Sequence, residues 1–132
     1  MSIELSKAAQ GAYRQHIRID EHSLFSDVAR TLGGEASAPD PHDLFDASLA
    51  ACKAITVMMY ARRRKMALDS VDVVITRDDS NEGRGQYQLN VGLSFNGELD
   101  ETERQRLLEI SDKCPIHKLM TQTDITVNTQ QR

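Results

Sequence analysis

The sequence lacks the features that mark several large classes of protein. No stretch reaches the ~20 consecutive apolar residues of a membrane span, and the first residues have no apolar core of the length that a secretory signal needs. The 132 residues carry a net charge of −4, without the clustered basic excess of a nucleic-acid-binding surface. There are no internal repeats or low-complexity tracts. The sequence therefore predicts one cytoplasmic domain over residues 1–132 that binds neither membrane nor nucleic acid.

Cysteine is also scarce, with only Cys52 and Cys114 in the chain. In a reducing compartment, two thiols are more typical of catalysis, metal binding or an inert core than of a structural disulfide. Cys52 lies in an apolar, alanine-rich run that is typical of a helix. Cys114 precedes Pro115, and proline favours the first helical position. We therefore expect Cys114 to be an N-cap, where the helix dipole favours thiolate. The two cysteines are either a redox pair or two unrelated buried residues.

Hydrophobic periodicity predicts an α+β fold. Alternating residues predict strands over 13–20 and 23–30, a hairpin of strands over 71–76 and 87–95, and a final strand around Ile125 and Val127. Spacings of three and four residues predict a long helix over about 41–67. Its predicted apolar positions are Leu44, Phe45, Ala51, Cys52, Ile55, Met58, Met59 and Met66.

Helix-start signals sharpen this prediction at three places. Asp40 precedes Pro41, which is typical of an N-cap followed by a first helical residue. Asp100 and Glu103 have the spacing of a capping box at the start of a second helix. A short third helix is expected directly after Cys114.

Metal binding is a second chemistry open to these residues. Cys114 and His117 are three positions apart on the expected short helix. With Cys52 and His42 they would complete a Cys₂His₂ zinc set. The chain has no CxxC and no HxxxH motif, so nothing in the spacing singles this reading out.

The residues around both cysteines resemble those of a known family. Residues 40–52, Asp-Pro-His-Asp-Leu-Phe-Asp-Ala-Ser-Leu-Ala-Ala-Cys, resemble the Asn-Pro-Glu-x-Leu-Phe-x-Ala-x-x-Ala-Ala-Cys helix start of the OsmC/Ohr family. This family comprises osmotically inducible protein C and the organic hydroperoxide resistance proteins. Residues 114–117, Cys-Pro-Ile-His, resemble its second-cysteine motif. The spacing of the two cysteines and the order of elements also fit.

The resemblance implies an OsmC-like α+β fold, with antiparallel sheets packed on a long central helix in an intertwined homodimer. It implies a peroxidase that reduces organic hydroperoxides without a cofactor, with Cys52 peroxidatic and Cys114 resolving. The Cα atoms of the pair should then approach within about 7 Å when oxidised. A dithiol or thiol protein, with lipoyl groups expected, would reduce the disulfide. The alternative is a non-peroxidase that binds a small apolar or thiol-reactive ligand at the dimer interface.

The residues expected to activate the thiolate depart from the family pattern. Family peroxidases pair an arginine with a glutamate, and that glutamate position is His42 here. Arg30 best matches the arginine, with Arg14 and Arg18 as alternatives. A neutral His42 would accept a hydrogen bond from Arg30, whereas a protonated one would itself favour the thiolate. The resemblance thus implies a catalytic set made of Cys52, Cys114, Arg30 and His42.

Overall fold

A computed structural model describes all residues, 1–132, and has the predicted α+β class. The chain divides into two compact units, Met1–Phe45 and Asp46–Arg132, which are described in turn. Its strands are β1 (Ile3–Lys7), β2 (Gln15–Ile19), β3 (His22–Ser26), β4 (Leu68–Asp78) and β5 (Gln88–Gly97). Its helices are α1 (Pro41–Arg63), α2 (Glu101–Ser111) and α3 (Pro115–Gln122).

The first unit contains a three-stranded antiparallel sheet in the order β1-β2-β3. The strand predicted over 13–20 is β2, and the one predicted over 23–30 is the shorter β3. The predicted strand extends too far at its C-terminal end, because Arg30 begins a 3₁₀ turn, Arg30–Leu32, which ends at Gly33 with φ 93°. Strand β1 was not predicted; its side chains are all exposed, so no buried alternation marks it.

A buried carboxylate organises the loop that carries Arg30. Asp27 accepts hydrogen bonds from the Ser37 hydroxyl at 2.6 Å, from Val28 N at 2.8 Å and from Ser37 N at 3.1 Å. These bonds, the Ser37 hydroxyl first, lower the pKa of Asp27 to about 2. The loop's turns are therefore held by one ionised side chain rather than by a ladder of strand pairs.

Helix α1 starts where the sequence predicts and ends earlier. Asp40 Oδ1 accepts from Asp43 N at 2.8 Å, and Asp43 Oδ2 accepts from Asp40 N at 3.0 Å, which satisfies two donors at the helix start. The helix ends at Arg63 rather than near residue 67. The reason is Lys65, whose φ of 55° is left-handed and turns the chain into β4.

The core of the second unit lies between helices and a hairpin. Val57 and Ala61 of α1 pack with Leu107 and Ile110 of α2. Partly buried residues from the hairpin and its connections complete this core: Tyr60, Met66, Leu68, Val71, Phe95 and Leu99. The predicted hairpin is confirmed as the antiparallel pair β4–β5, and the capping box of Asp100 and Glu103 is confirmed at α2.

Most of the apolar positions predicted for α1 lie outside its buried side. The buried residues are Asp46, Leu49, Lys53, Val57 and Ala61, at successive spacings of three and four. The predicted positions Phe45, Ala51, Ile55, Met58 and Met59 are instead exposed. The helix is apolar on two sides, and periodicity alone did not tell which side this chain covers. Ala51, Ile55, Met58 and Met59 are called here the uncovered face of α1.

The two apolar sides also correct the expectation that no segment comes near a membrane span. By length and composition alone, α1 could cross a membrane, with mean hydropathy 1.3 over an 18-residue window. A core helix of a water-soluble protein passes the same test. The uncovered face is the reason, because it adds apolar residues that the core of one chain does not use.

The predicted final strand is also wrong. Residues 123–132 contain neither helix nor strand, and the side chains of Ile125 and Val127 are exposed. A strand needs a neighbour to share its hydrogen bonds, and no strand of this chain pairs with the segment.

Gly97, at the end of β5, provides a test of the hairpin geometry. Its φ is 149°, and a Cβ there would lie 2.0 Å from the carbonyl oxygen of Ala67. Because the obstacle is backbone, we expect Gly97→Ala to lower the free energy of unfolding by about 2–5 kcal/mol. Gly83 has open space around it, so Gly83→Ala should change stability by about 0.5 kcal/mol or less. Urea unfolding of both variants measures this, and equal values would contradict the hairpin geometry.

Candidate active site

The two cysteines occupy different environments in the second unit. Both are free thiols, Cys52 half-buried and Cys114 fully buried. At 100° per residue, Cys52 lies at the boundary between the buried side of α1 and its uncovered face. Cys114 is the N-cap of α3, as predicted, and its sulfur accepts a hydrogen bond from His117 N at 3.3 Å.

The structure brings the two sulfurs together, which the spacing in the sequence did not reveal. The Cys52 side chain lies within interaction range of the Cys114 thiol and contributes to its raised pKa. Cys52 comes from the middle of α1 and Cys114 from the residue before α3. The contact therefore depends on how α3 begins, because the N-cap position fixes the Cys114 sulfur.

The expectation that the helix dipole makes Cys114 the more acidic thiol is wrong. Burial raises the pKa of Cys114 above its usual value, and the Cys52 side chain raises it further. The hydrogen bond from His117 N and the charge of Lys53 oppose this increase without reversing it. The physical reason is that removal from water penalises a thiolate more than one short helix stabilises it. Burial is therefore what keeps the proton on Cys114.

A buried lysine lies beside the thiol pair. Lys53 follows Cys52 in α1 and is 2% exposed. Its ammonium donates to the carbonyl oxygen of Ser111 at 3.0 Å, to Asp112 Oδ1 at 3.1 Å and to His117 Nδ1 at 3.0 Å. An ammonium has three N–H donors and no acceptor. All three donors are thus matched to acceptors from the end of α2 and the start of α3.

This arrangement also corrects the zinc alternative. Since the ammonium has no lone pair, His117 Nδ1 is the acceptor in its contact with Lys53. A metal ion at Nδ1 would have to displace a buried positive charge. No three potential metal-ligating side chains come together in the structure. The predicted set of Cys52, His42, Cys114 and His117 is therefore not assembled as a metal site.

A second buried polar cluster lies on the same side of α1, seven residues before Lys53. Asp46 Oδ2 accepts from Arg77 Nε of β4 at 2.6 Å, and Asp46 Oδ1 accepts from the Tyr87 hydroxyl at 2.7 Å. Burial, followed by the hydrogen bond to Asp46, raises the pKa of Tyr87 to about 12. This cluster joins α1 to the hairpin and fixes the rotation of the helix.

The other predicted site residues belong to the first unit. Arg30 and His42 are exposed, Arg30 in the 3₁₀ turn and His42 in the first turn of α1. Arg14 donates to the Ser37 hydroxyl at 2.8 Å and stacks on Phe25. Arg18 pairs with Glu4 across β1 and β2. Both alternative arginines therefore have local partners, and the roles of Arg30 and His42 stay predictions.

Sequence reasoning missed Lys53 and Asp112, although a signal for the lysine was present. Leu49, Lys53, Val57 and Ala61 recur every four residues, the spacing of one helix side. A lysine within such a series has one of two explanations. It is either a buried charge with its own hydrogen-bond partners, or a sign that a different side of the helix faces the core. Asp112 had no comparable signal, because it follows α2 in a polar turn.

Comparisons with known proteins identify relatives of this fold. The family model of the OsmC-like protein family matches residues 34–130. None of the curated protein sequences matches the chain. Among solved structures, a protein assigned to the osmotic stress and detoxification response of Psychrobacter arcticus 273-4 has a TM-score of 0.75 at 19% identity, covering 90% of this chain and 87% of that one.

Two further structures show the same similarity. The OsmC-like protein from Mycoplasma pneumoniae has a TM-score of 0.72 at 17% identity, covering 92% of this chain and 89% of that one. The organic hydroperoxide resistance protein OhrB of Bacillus subtilis has a TM-score of 0.56 at 22% identity, covering 92% of each chain. At these identities the similarity establishes the fold.

The raised pKa of Cys114 predicts a pH dependence of stability. Above the ordinary thiol pKa the unfolded chain has lost this proton while the folded protein still holds it, so the free energy of unfolding falls as pH rises. Between about pH 7 and about pH 10, the reduced protein should lose more stability than a Cys114→Ala variant, which cannot titrate there. Urea unfolding with a reductant present measures both. An identical pH dependence would show that the folded state does not retain this proton.

Proposed function

Because the chain belongs to the OsmC-like family, we propose that it is a thiol-dependent peroxidase that reduces organic hydroperoxides, with Cys52 as the peroxidatic and Cys114 as the resolving cysteine. One observation carries this proposal: two free thiols from separate helices are in contact, and the buried Cys114 is the one that keeps its proton. Burial holds the proton on Cys114, whereas Cys52 is only half-buried and can be reached by a peroxide. The proposal therefore takes Cys52 as the nucleophile.

The proposed reaction has three steps whose atoms balance. The Cys52 thiolate attacks the terminal oxygen of the hydroperoxide, the O–O bond breaks, and the alkoxide takes a proton and leaves as an alcohol. The resulting Cys52 sulfenic acid condenses with the Cys114 thiol, which forms the disulfide and releases water. A dithiol, of the lipoyl type or on a thiol protein, then supplies two electrons and two protons through thiol–disulfide exchange.

The position of Cys52 supports an organic rather than an inorganic peroxide. On α1 it lies next to the uncovered face, on the side of Ile55 and Met59. An alkyl group would find apolar contacts there, which hydrogen peroxide cannot use.

We also infer a homodimer that covers this face. Ile55, Met58 and Met59 are 57%, 44% and 49% exposed, and exposed apolar side chains that cluster on one helix are typical of an interaction surface. The unpaired segment with Ile125 and Val127 offers further apolar surface. A second copy of the chain would bury both, and we expect an interface well above the ~1,600 Å² of standard size. Reduced thiols also suit the cytoplasmic location expected from the sequence.

The roles of Arg30 and His42 belong to the same proposal. A peroxidatic thiolate needs a cation that orients the peroxide, and Arg30 is the exposed arginine that best matches the family position. His42 stands where the family has its glutamate, and it would orient Arg30 or contribute charge itself.

Stoichiometric oxidation tests the two-cysteine reaction. One equivalent of an alkyl hydroperoxide should remove both thiols of the reduced protein, because the sulfenic acid is resolved within the chain. Cys52→Ser should abolish the fast reaction. Cys114→Ser should still react once and accumulate a sulfenic acid that dimedone labels. Thiol titration and intact mass follow each product.

The two single variants serve as each other's control, since each removes one sulfur. No thiol loss in the wild type would contradict the peroxidase and favour a protein that only binds a ligand. Loss of one thiol without a disulfide would contradict the resolving role of Cys114.

Disruption of the uncovered face tests the homodimer. Ile55→Glu places a charge at the centre of that face, and burying an unpaired carboxylate is costly. We expect the variant to sediment as a monomer at micromolar concentration, where the wild type is a dimer. Gln105→Glu, on the exposed side of α2, adds the same charge and should leave the dimer intact. A monomeric wild type would contradict the proposal.

Substitution of His42 tests the activation of the thiolate. His42→Glu restores the family residue and should keep or raise the second-order rate with an alkyl hydroperoxide. His42→Ala should lower this rate several-fold, because no side chain remains to orient Arg30. If the role depends on the protonated imidazole, the wild-type rate should fall above the reference histidine pKa of ~6.5. Unchanged rates in both variants would show that His42 has no part in the reaction.

A further inference from the structure

We propose that Lys53 is the buried counter-charge of the thiol pair, a positioning residue that stabilises the thiolate and thereby makes the disulfide easier to reduce. The proposed peroxidase function gives this role its purpose, but the role is tested without any peroxide. It assigns a role to a side chain that touches neither the expected peroxide nor a metal.

The first argument is the unequal burial of the ion pair. Lys53 is 2% exposed at its side chain, whereas Asp112 is 69% exposed. Water screens the exposed carboxylate strongly and the buried ammonium weakly. Asp112 therefore neutralises Lys53 only in part, and a net positive potential remains on the interior side, where the cysteines lie.

The second argument is location. Lys53 directly follows Cys52 in α1, and its charge acts on Cys114 in the direction that favours the thiolate. The titratable groups in contact with the Lys53 ammonium are Asp112 at the end of α2 and His117 in α3. His117 Nδ1 lies 3.0 Å from the ammonium and is one of its three hydrogen-bond partners.

The third argument is rigidity. Three acceptors from the end of α2 and the start of α3 hold the ammonium. Asp112 lies two residues before Cys114, and His117 belongs to the short helix that Cys114 caps. The charge cannot move toward solvent when the thiolate disappears. In the disulfide form, Lys53 therefore keeps its buried charge without a thiolate to offset it, and this asymmetry favours the reduced form.

Two variants of the full chain with opposite expected effects test this role. Lys53→Met removes the charge and keeps an unbranched side chain that is one atom shorter. The disulfide should become harder to reduce by at least about tenfold in its equilibrium with dithiothreitol, equivalent to about −30 mV. Asp112→Asn removes the exposed partner and leaves Lys53 less compensated, so the same equilibrium should move several-fold toward the reduced form.

The control variant is Lys118→Met, which removes an exposed lysine four residues after Cys114. Its charge is screened by solvent, so its effect should be below about twofold. A structural defect in Lys53→Met would not produce the opposite shift in Asp112→Asn. If Lys53→Met does not fold, Asp112→Asn alone tests the role of Lys53: a shift of its disulfide equilibrium toward the oxidised form, or no shift, would contradict that role.

A second readout separates this inference from the proposed function. In the reduced proteins, the rate at which iodoacetamide alkylates Cys52 near neutral pH reports its thiolate. It should fall several-fold in Lys53→Met and rise in Asp112→Asn, whether or not the protein reduces peroxides. If the alkylation rates and the equilibria with dithiothreitol are unchanged in both variants, the role of Lys53 is overturned. Failure of the wild type to form an intrachain disulfide would overturn only the two-cysteine reaction.

Discussion

The second unit depends on the burial of one positive charge. An ammonium removed from water is tolerated only when its donors meet acceptors, and Lys53 meets all of its own in the turn between α2 and α3. That requirement ties the middle of α1 to the end of α2 and to the beginning of α3. The position of the Cys114 sulfur follows, because the residue that caps α3 is held by the same turn. The contact between the thiols is thus a consequence of how a lysine is accommodated.

The buried side of α1 combines two polar anchors with an apolar stretch. Asp46 connects the helix to Arg77 and Tyr87 of the hairpin region, Lys53 connects it to α3, and Val57 and Ala61 complete the core. Apolar packing tolerates small rotations, whereas buried ion pairs and hydrogen bonds do not. The two anchors therefore fix which of the two apolar sides of the helix faces the core. They also leave Cys52 at the edge of that side, where its sulfur reaches both the interior and the surface.

Local signals in the sequence predicted the parts of this structure that depend on local physics. The caps at Asp40, Asp100 and Cys114 and the hairpin were all predicted, because each follows from a few adjacent residues or from strict alternation. The orientation of α1 was not, because the helix has two apolar sides and the choice depends on partners far along the chain. The acidity order of the thiols was predicted wrongly, since a dipole is visible in a sequence and the degree of burial is not. The strand expected at Ile125 and Val127 failed for the same reason: pairing depends on a neighbour that the segment itself cannot specify.

The full use of the three Lys53 protons has a chemical consequence. A lysine reacts as an amine only after it releases a proton and turns a lone pair toward the electrophile. Here every N–H bond is directed at an oxygen or nitrogen of the chain, and the nitrogen is shielded from solvent. Aldehydes and other carbonyl compounds that would form imines with a free lysine find no nucleophile at this position. Electrophiles therefore react with sulfur at the reduced site and not with the Lys53 nitrogen, although the two residues are adjacent in the chain.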